Sequence, residues 1–215
     1  EDAKQMGVQI LMGEADPVER ATQYYAYRRI LESVFGIADF DEPASTQEKI
    51  KSWLADDSFL LDRAPLFNEI LPLRWPDNEL TSQMSGEARA NSIREVLVRA
   101  MKKSLTQNGK TVPTMIVFDD AQWLDSATWT LIGTLQRDLP SVLLVLALRP
   151  ILDGEVDAQI ESEFKRLTAN PSTQRIELNS LSHEATEQLV AERLGIKKLP
   201  HAVSEFVRLR TQGNP

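Results

Sequence analysis

Two uninterrupted apolar runs constrain this chain more than any other feature: Thr114-Met115-Ile116-Val117-Phe118, and residues 142–148, which read Val-Leu-Leu-Val-Leu-Ala-Leu. Neither alternates between apolar and polar positions, so neither reads as a strand with one face in water. Continuous runs of this length, bounded by turn residues, suit a parallel sheet covered on both faces by helices. Residues 8–12 (Val-Gln-Ile-Leu-Met) and 175–178 (Arg-Ile-Glu-Leu) are weaker strand candidates.

Around these runs the apolar spacing turns helical. In residues 87–107, Ile93, Val96, Leu97, Ala100, Met101 and Leu105 recur at three- and four-residue intervals, with Arg94, Arg99, Lys102 and Lys103 between them. That pattern predicts a surface helix with one buried stripe. Trp129, Ile132, Leu135 and Leu139 predict a helix between the two strands, N-capped by Asp125 or Ser126. Another is predicted over residues 182–194, stopping at Gly195, and a last one over residues 202 to about 210. Strand and helix in alternation predict an α/β domain with right-handed crossovers. Residues 38–86 differ: they hold Pro43, Pro65, Pro72 and Pro76 and no convincing strand, and read as a helical insertion or edge subdomain.

Acidic residues number 32 against 24 basic ones, a net charge of -8, and no basic run interleaves with aromatics. Direct nucleic-acid binding is therefore not expected. With no cysteine and two histidines, disulfides and thiolate or histidine-rich metal sites are excluded. The longest apolar run is too short to cross a bilayer and no basic segment followed by an apolar stretch opens the chain. A cytoplasmic setting without membrane is expected. The first residue is Glu1 rather than methionine, which hints at a piece of a longer polypeptide.

Gly109-Lys110-Thr111 stands just ahead of Asp119-Asp120. A phosphate-binding loop needs G-x-x-x-x-G-K-[ST] with a strand before it and a helix after it, so that backbone N–H groups face the phosphates. Here Ser104 occupies the first glycine's place and the order of elements is reversed. Asn108-Gly109 reads instead as the left-handed end of the long helix, with Lys110 and Thr111 exposed in the turn. The aspartates pass the same test, because they close a buried parallel strand, where an open α/β sheet binds its ligands. One carboxylate there can hold Mg²⁺ through its water shell, and a second can orient or deprotonate an attacking water. Two aspartates that merely close a strand and begin a turn are the plain alternative.

The wider phrase Met115-Ile-Val-Phe-Asp-Asp-Ala-Gln-Trp-Leu-Asp125 resembles the Walker B region of the signal-transduction ATPases with numerous domains (STAND), a P-loop group. Leu146-Ala-Leu-Arg-Pro150 looks like the following strand with its sensor arginine, and Gln212-Gly-Asn-Pro215 like the start of a motif near the nucleotide base. Gly13-Glu-Ala-Asp-Pro-Val-Glu-Arg20 and Tyr24-Tyr-Ala-Tyr-Arg28 are similar to the ATPase modules attached to bacterial-type nucleotide cyclases and to large transcriptional regulators. The resemblance implies a three-layer P-loop NTPase-like parallel sheet with a helical insertion. It implies Asp119 as the Mg²⁺ carboxylate, Asp120 as the residue that positions water, Arg149 as the γ-phosphate sensor, and Asn214 with Pro215 in the adenine pocket. It also implies boundaries: 1–37 for the second strand and following helix, 38–86 for the insertion, 87–195 for the core with Walker B and sensor strands, and 196–215 for the start of a C-terminal helical subdomain.

By the same resemblance the first strand, phosphate loop and first helix would precede Glu1, with residues 1–5 as that helix's tail. The missing strand would be central, between residues 142–148 and 175–178, and the piece alone is expected to bind Mg-ATP weakly. The implied function is an ATP-binding, ATP-hydrolysing core whose Mg-ATP state switches effector and sensor domains of the same polypeptide. A non-hydrolysing nucleotide-binding scaffold and an α/β domain without nucleotide remain open, as do self-association and the nature of the effector. Trp123 is expected to pack the strand-to-helix turn. His183 and His201 read as surface residues; Asp56-Asp57 and Asp39-Phe-Asp41 as solvated helix ends. Trp53, Leu54, Leu60, Leu61, Phe67, Ile70 and Leu71 read as helical core, and Tyr24, Tyr25 and Tyr27 as a helix face.

Overall fold

The computed structural model describes residues 5–107, 109–150, 157–211 and 213. Strand β1 (Gln9–Glu14) leads into helix α1 (Tyr25–Phe35). Helices α2 (Pro43–Leu54), α3 (Ser58–Asp62) and α4 (Glu79–Ser82), with a 3-10 turn at Ala64–Glu69, occupy the proline-rich stretch, and α5 (Gly86–Ser104) follows. A small antiparallel hairpin, β2 (Thr106–Gln107) and β3 (Lys110–Thr111), precedes β4 (Thr114–Asp119), a 3-10 turn (Ala121–Trp123) and α6 (Ser126–Asp138). Then come β5 (Val142–Leu146), α7 (Ala158–Thr168), α8 (His183–Leu194) and α9 (His201–Thr211). Residues 1–170 and 171–215 form two compact units.

The main sheet is parallel, ordered β1-β4-β5, with helices on both faces. Its register pairs Leu11 with Ile116 and Ile116 with Leu144, then Gly13 with Phe118 and Phe118 with Leu146. Thr114, Ile116 and Phe118 are buried on one face of β4, and Met115 and Val117 are half-buried on the other. Cover on that second face thins toward the edges, where Met12 is 57% and Leu143 56% exposed. The expectation of full burial for residues 142–148 is thus corrected. Two apolar runs of equal strength differ in burial because β4 is central and β5 is paired through β4 alone among the described strands.

Other expectations shift for identifiable reasons. Residues 175–178 form no strand: Ile176 is 73% and Leu178 94% exposed, and Arg175 instead pairs with Glu177 at 3.0 Å. An alternating tetrapeptide becomes a strand only where a partner ladder accepts it, and none of the described strands does. Helix α5 stops at Ser104 with a right-handed cap at Leu105, so Gly109, at φ +73°, turns the β2–β3 hairpin rather than ending the helix; Asn108 lies outside the described residues. Lys110 and Thr111 are exposed there, as expected. Helix α7 was not foreseen, although Ile160, Phe164 and Leu167 carry its spacing and Asp157 caps it through Gln159 N. Phe164 meets Trp129 of α6 edge-on at 6.0 Å.

Residues 171–215, taken by themselves, hold α8 and α9. Ser182 caps α8 by accepting from Ala185 N, and Gly195 ends it in the left-handed region, as the sequence indicates. His183 and His201 open these two helices, and the His183 ring lies 3.6 Å from Glu187. Of the helix tail expected over residues 1–5, residues 1–4 lie outside the described residues, and Gln5 is helical.

Helix α1 sits unusually close to β1. A Cβ added at Gly13 would lie 2.5 Å from the Ala26 carbonyl oxygen and 3.0 Å from the Phe118 ring, on which Tyr27 stacks at 6.4 Å. The far end of α1 belongs to the insertion's core: Phe35 packs edge-on against Trp53 at 5.0 Å and Phe67 at 5.3 Å, above buried Leu54, Leu60 and Ile70. A displaced α1 would disturb both cores at once. Gly13→Ala is therefore expected to destabilise the protein by about 1–3 kcal/mol, since the obstacle is backbone and a packed ring; urea unfolding checks it, and a change within error would remove the close approach.

Candidate functional site at the C-terminal end of the sheet

Strand β4 ends with two acids. Asp119 is the last strand residue, paired in register with Glu14 at the end of β1, and its side chain is exposed. The chain then turns sharply at Asp120, at φ +49° and ψ +39°, and enters the 3-10 turn. Aspartate tolerates this left-handed conformation better than most non-glycine residues, because its short side chain can bond locally. The turn directs the two carboxylates differently: the Asp120 N–H donates to Asp119 Oδ1 at 2.9 Å, while Asp120 Oδ1 accepts from Gln122 Nε2 at 2.8 Å. Gln122 Oε1 in turn accepts from the Arg149 N–H at 3.0 Å. Ala147 N donates to Phe118 O and Ala121 N to Ala147 O, at 2.9 and 2.8 Å, so the segment after β5 is laced to the turn after β4.

A third acid anchors the turn from below. Asp125 is buried and caps α6 by accepting from Thr128 N at 2.9 Å and from the Thr128 hydroxyl; its Oδ2 also accepts from Tyr24 N at 3.0 Å. Tyr24 is the buried, left-handed residue that starts α1, not part of a helix face as the sequence had implied. Burial raises the Asp125 carboxyl above its ordinary value of 3.8, against the hydrogen bonds from Thr128 and Tyr24, which favour the ionised form. Trp123 is half-buried and packs against the core, in line with its expected role.

A cleft of about 490 Å³ opens beside the end of β1, lined by Glu14 and Asp16, by Tyr25, Arg28 and Arg29 of α1, and by the insertion. Arg28 is stacked on Tyr25 and donates to the Ile70 carbonyl. A larger groove of about 740 Å³ runs between α5 and α6, away from the paired acids.

Of the residues singled out in the sequence, Asp119, Asp120 and the backbone of Arg149 are brought together at one end of the sheet; the Arg149 side chain is exposed. Asn214 and Pro215 lie outside the described residues. The sequence reading missed Gln122 and Glu14. Glu14 was hidden because β1 was expected to end at Met12, and Gln122 because its partners are distant in sequence or set by the turn. Residues 1–148 match the AAA ATPase domain family. The chain belongs to that family. Over 188 residues it is 19% identical to adenylate cyclase type 10 of Rattus norvegicus and 21% identical to adenylate cyclase type 10 of Mus musculus, each match covering 86% of this chain and 11% of the relative. The chain thus spans about a tenth of the length of these relatives. No solved structure matches. Among the described residues no helix is long and apolar enough to cross a membrane.

In this AAA-family domain the Asp125 carboxyl gives a measurable pH signature. Its folded pKa exceeds its unfolded one, so the folded state holds the proton more tightly, and stability falls as pH rises from 3.8 through the raised folded value. Asp125→Asn should flatten that slope in the difference between wild-type and variant unfolding free energies across the acidic range. Asp125→Ala should cost about 2–4 kcal/mol, from a lost cap and an unpaired Tyr24 N–H; denaturant titrations at several pH values check both.

Proposed function

We propose that this domain binds ATP with Mg²⁺ and hydrolyses it, and that its nucleotide state switches effector and sensor domains of the same polypeptide. The observation that carries the reading is the joint emergence of Asp119 and Asp120 at the C-terminal end of the central parallel strand, in an AAA-family chain. The exposed Asp119 carboxylate, one oxygen steadied by the Asp120 N–H, suits a hard cation that keeps much of its water shell. Such an ion supplies neutralisation of phosphate charge. Among the described residues no group of three or more acidic, histidine or cysteine side chains is placed to hold a metal ion.

Asp120 is proposed to orient a water toward the γ-phosphorus. As the water oxygen bonds to phosphorus, the bond to the β–γ bridging oxygen breaks, the Asp120 carboxylate takes the water proton, and ADP and phosphate are released. Arg149, past the end of β5, is proposed to meet the charge on the γ-phosphate, and Asn214 and Pro215 to border the adenine. The proposed setting is cytoplasmic, with ATP and covalently linked domains as partners rather than nucleic acid. Lys110 and Thr111 have no part in it, since they stand in an exposed hairpin.

In the intact protein, Asp120→Asn is expected to lower ATP turnover by about 100-fold while ATP affinity stays within about twofold, the split expected for a group acting mainly in the transition state. Lys110→Ala should leave both unchanged. A wild-type rate in Asp120→Asn ends the assigned role. Binding without turnover in the wild type favours a non-hydrolysing scaffold, and no thermal shift with Mg-ATP removes the nucleotide altogether.

A further inference from the structure

Gln122 stands between two groups that the ATPase reading uses separately. Its Nε2 donates to Asp120 Oδ1 at 2.8 Å and its Oε1 accepts from the Arg149 N–H at 3.0 Å. The two partners fix the amide's orientation without ambiguity, because a carboxylate only accepts and a backbone N–H only donates. The bond to Asp120 is charge-assisted and the stronger of the two kinds. Asp120 has no helix or strand to hold it, since it occupies a left-handed turn position between β4 and the 3-10 turn. Its side chain direction therefore depends on what it bonds.

We propose that Gln122 is a positioning residue that couples the Asp120 carboxylate to the backbone at Arg149, so that the water-orienting acid and the arginine after β5 are set in place together. This rests on the ATPase reading of the same site and adds a device to it. Both ends of the bridge ride on the strand ends: Asp120 follows Asp119 directly, and Arg149 lies just beyond the Ala147 contacts to Phe118 and Ala121. A shift of the segment after β5, as when its arginine engages or releases a phosphate, is passed through one side-chain amide to the acid that orients water. Gln122 touches no reacting atom in this scheme, and its effect falls on turnover rather than on nucleotide affinity.

Three variants of the intact protein test it. Gln122→Met keeps the length and removes both bonds; turnover should drop by about tenfold, the equivalent of one such hydrogen bond, with ATP affinity within about twofold. Hydrogen exchange of the Arg149 amide should quicken by about tenfold in the same variant. Gln122→Glu keeps an acceptor for Arg149 but faces Asp120 with a like charge, and should lose turnover at least as strongly. In Asp120→Asn/Gln122→Glu the new amide at 120 can donate to the new carboxylate at 122, so the bridge returns with its roles exchanged; Arg149 protection, lost in Gln122→Met, should recover here to within about twofold of wild type while turnover does not. Unchanged Arg149 exchange in Gln122→Met, no recovery in the double variant, or unchanged turnover in an ATP-hydrolysing protein overturns the inference. A parallel loss of ATP affinity and melting temperature with turnover also overturns it, as general loosening. A wild type without turnover sinks the ATPase reading alone, and the exchange measurements still decide the bridge.

Discussion

Strand β4 is hydrogen-bonded along both edges, to β1 and to β5, and that double pairing decides where every polar group of the site can stand. A strand buried this way has no freedom to slip, because a one-residue shift would turn Ile116 and Phe118 away from the core and expose them. Asp119 is thereby held at the rim beside Glu14, and the chain must leave the sheet within a residue. The left-handed turn at Asp120 is the consequence. Strain at such a position persists where the surroundings over-determine it, and here they do: Asp125 below and Gln122 beside it tie the turn to α1, α6 and the segment after β5.

The acids of this turn divide the labour by burial. Asp119 is exposed and accepts from the Asp120 N–H, Asp120 is half-buried and bonded by a side-chain amide, and Asp125 is buried and serves the fold. A carboxylate out of water is costly unless hydrogen bonds offset the loss of hydration, which is why Asp125 accepts from both Thr128 and Tyr24. Through Tyr24 the same carboxylate sets the start of α1, and α1 in turn links the sheet at Gly13 with the insertion at Phe35. The site, the sheet and the insertion therefore share one mechanical path.

Much of this was legible beforehand. The two apolar runs marked parallel strands, the Gly-Lys-Thr was separable from a phosphate loop by its order relative to helix and strand, and Ser182 and Gly195 bracketed a helix through capping chemistry that acts within four residues. The failures have a common cause. Among the described residues, residues 175–178 have a strand's alternation but pair with no strand, and residues 142–148 have a buried strand's composition but pair through β4 alone; Gln122 looks like any turn residue until Arg149 is brought to it.

Local chemistry, then, was determined by the order of residues alone: helical or extended periodicity, caps, turns, and the presence of adjacent acids after an apolar run. Those properties depend on interactions within a few positions of the chain, which any reading of the sequence can reach. Only the tertiary structure decided which run is central, which face stays open, and which amide bridges two strand ends. Such outcomes depend on pairing between segments far apart in sequence, and the free energy of that pairing belongs to the neighbours as much as to the residues themselves.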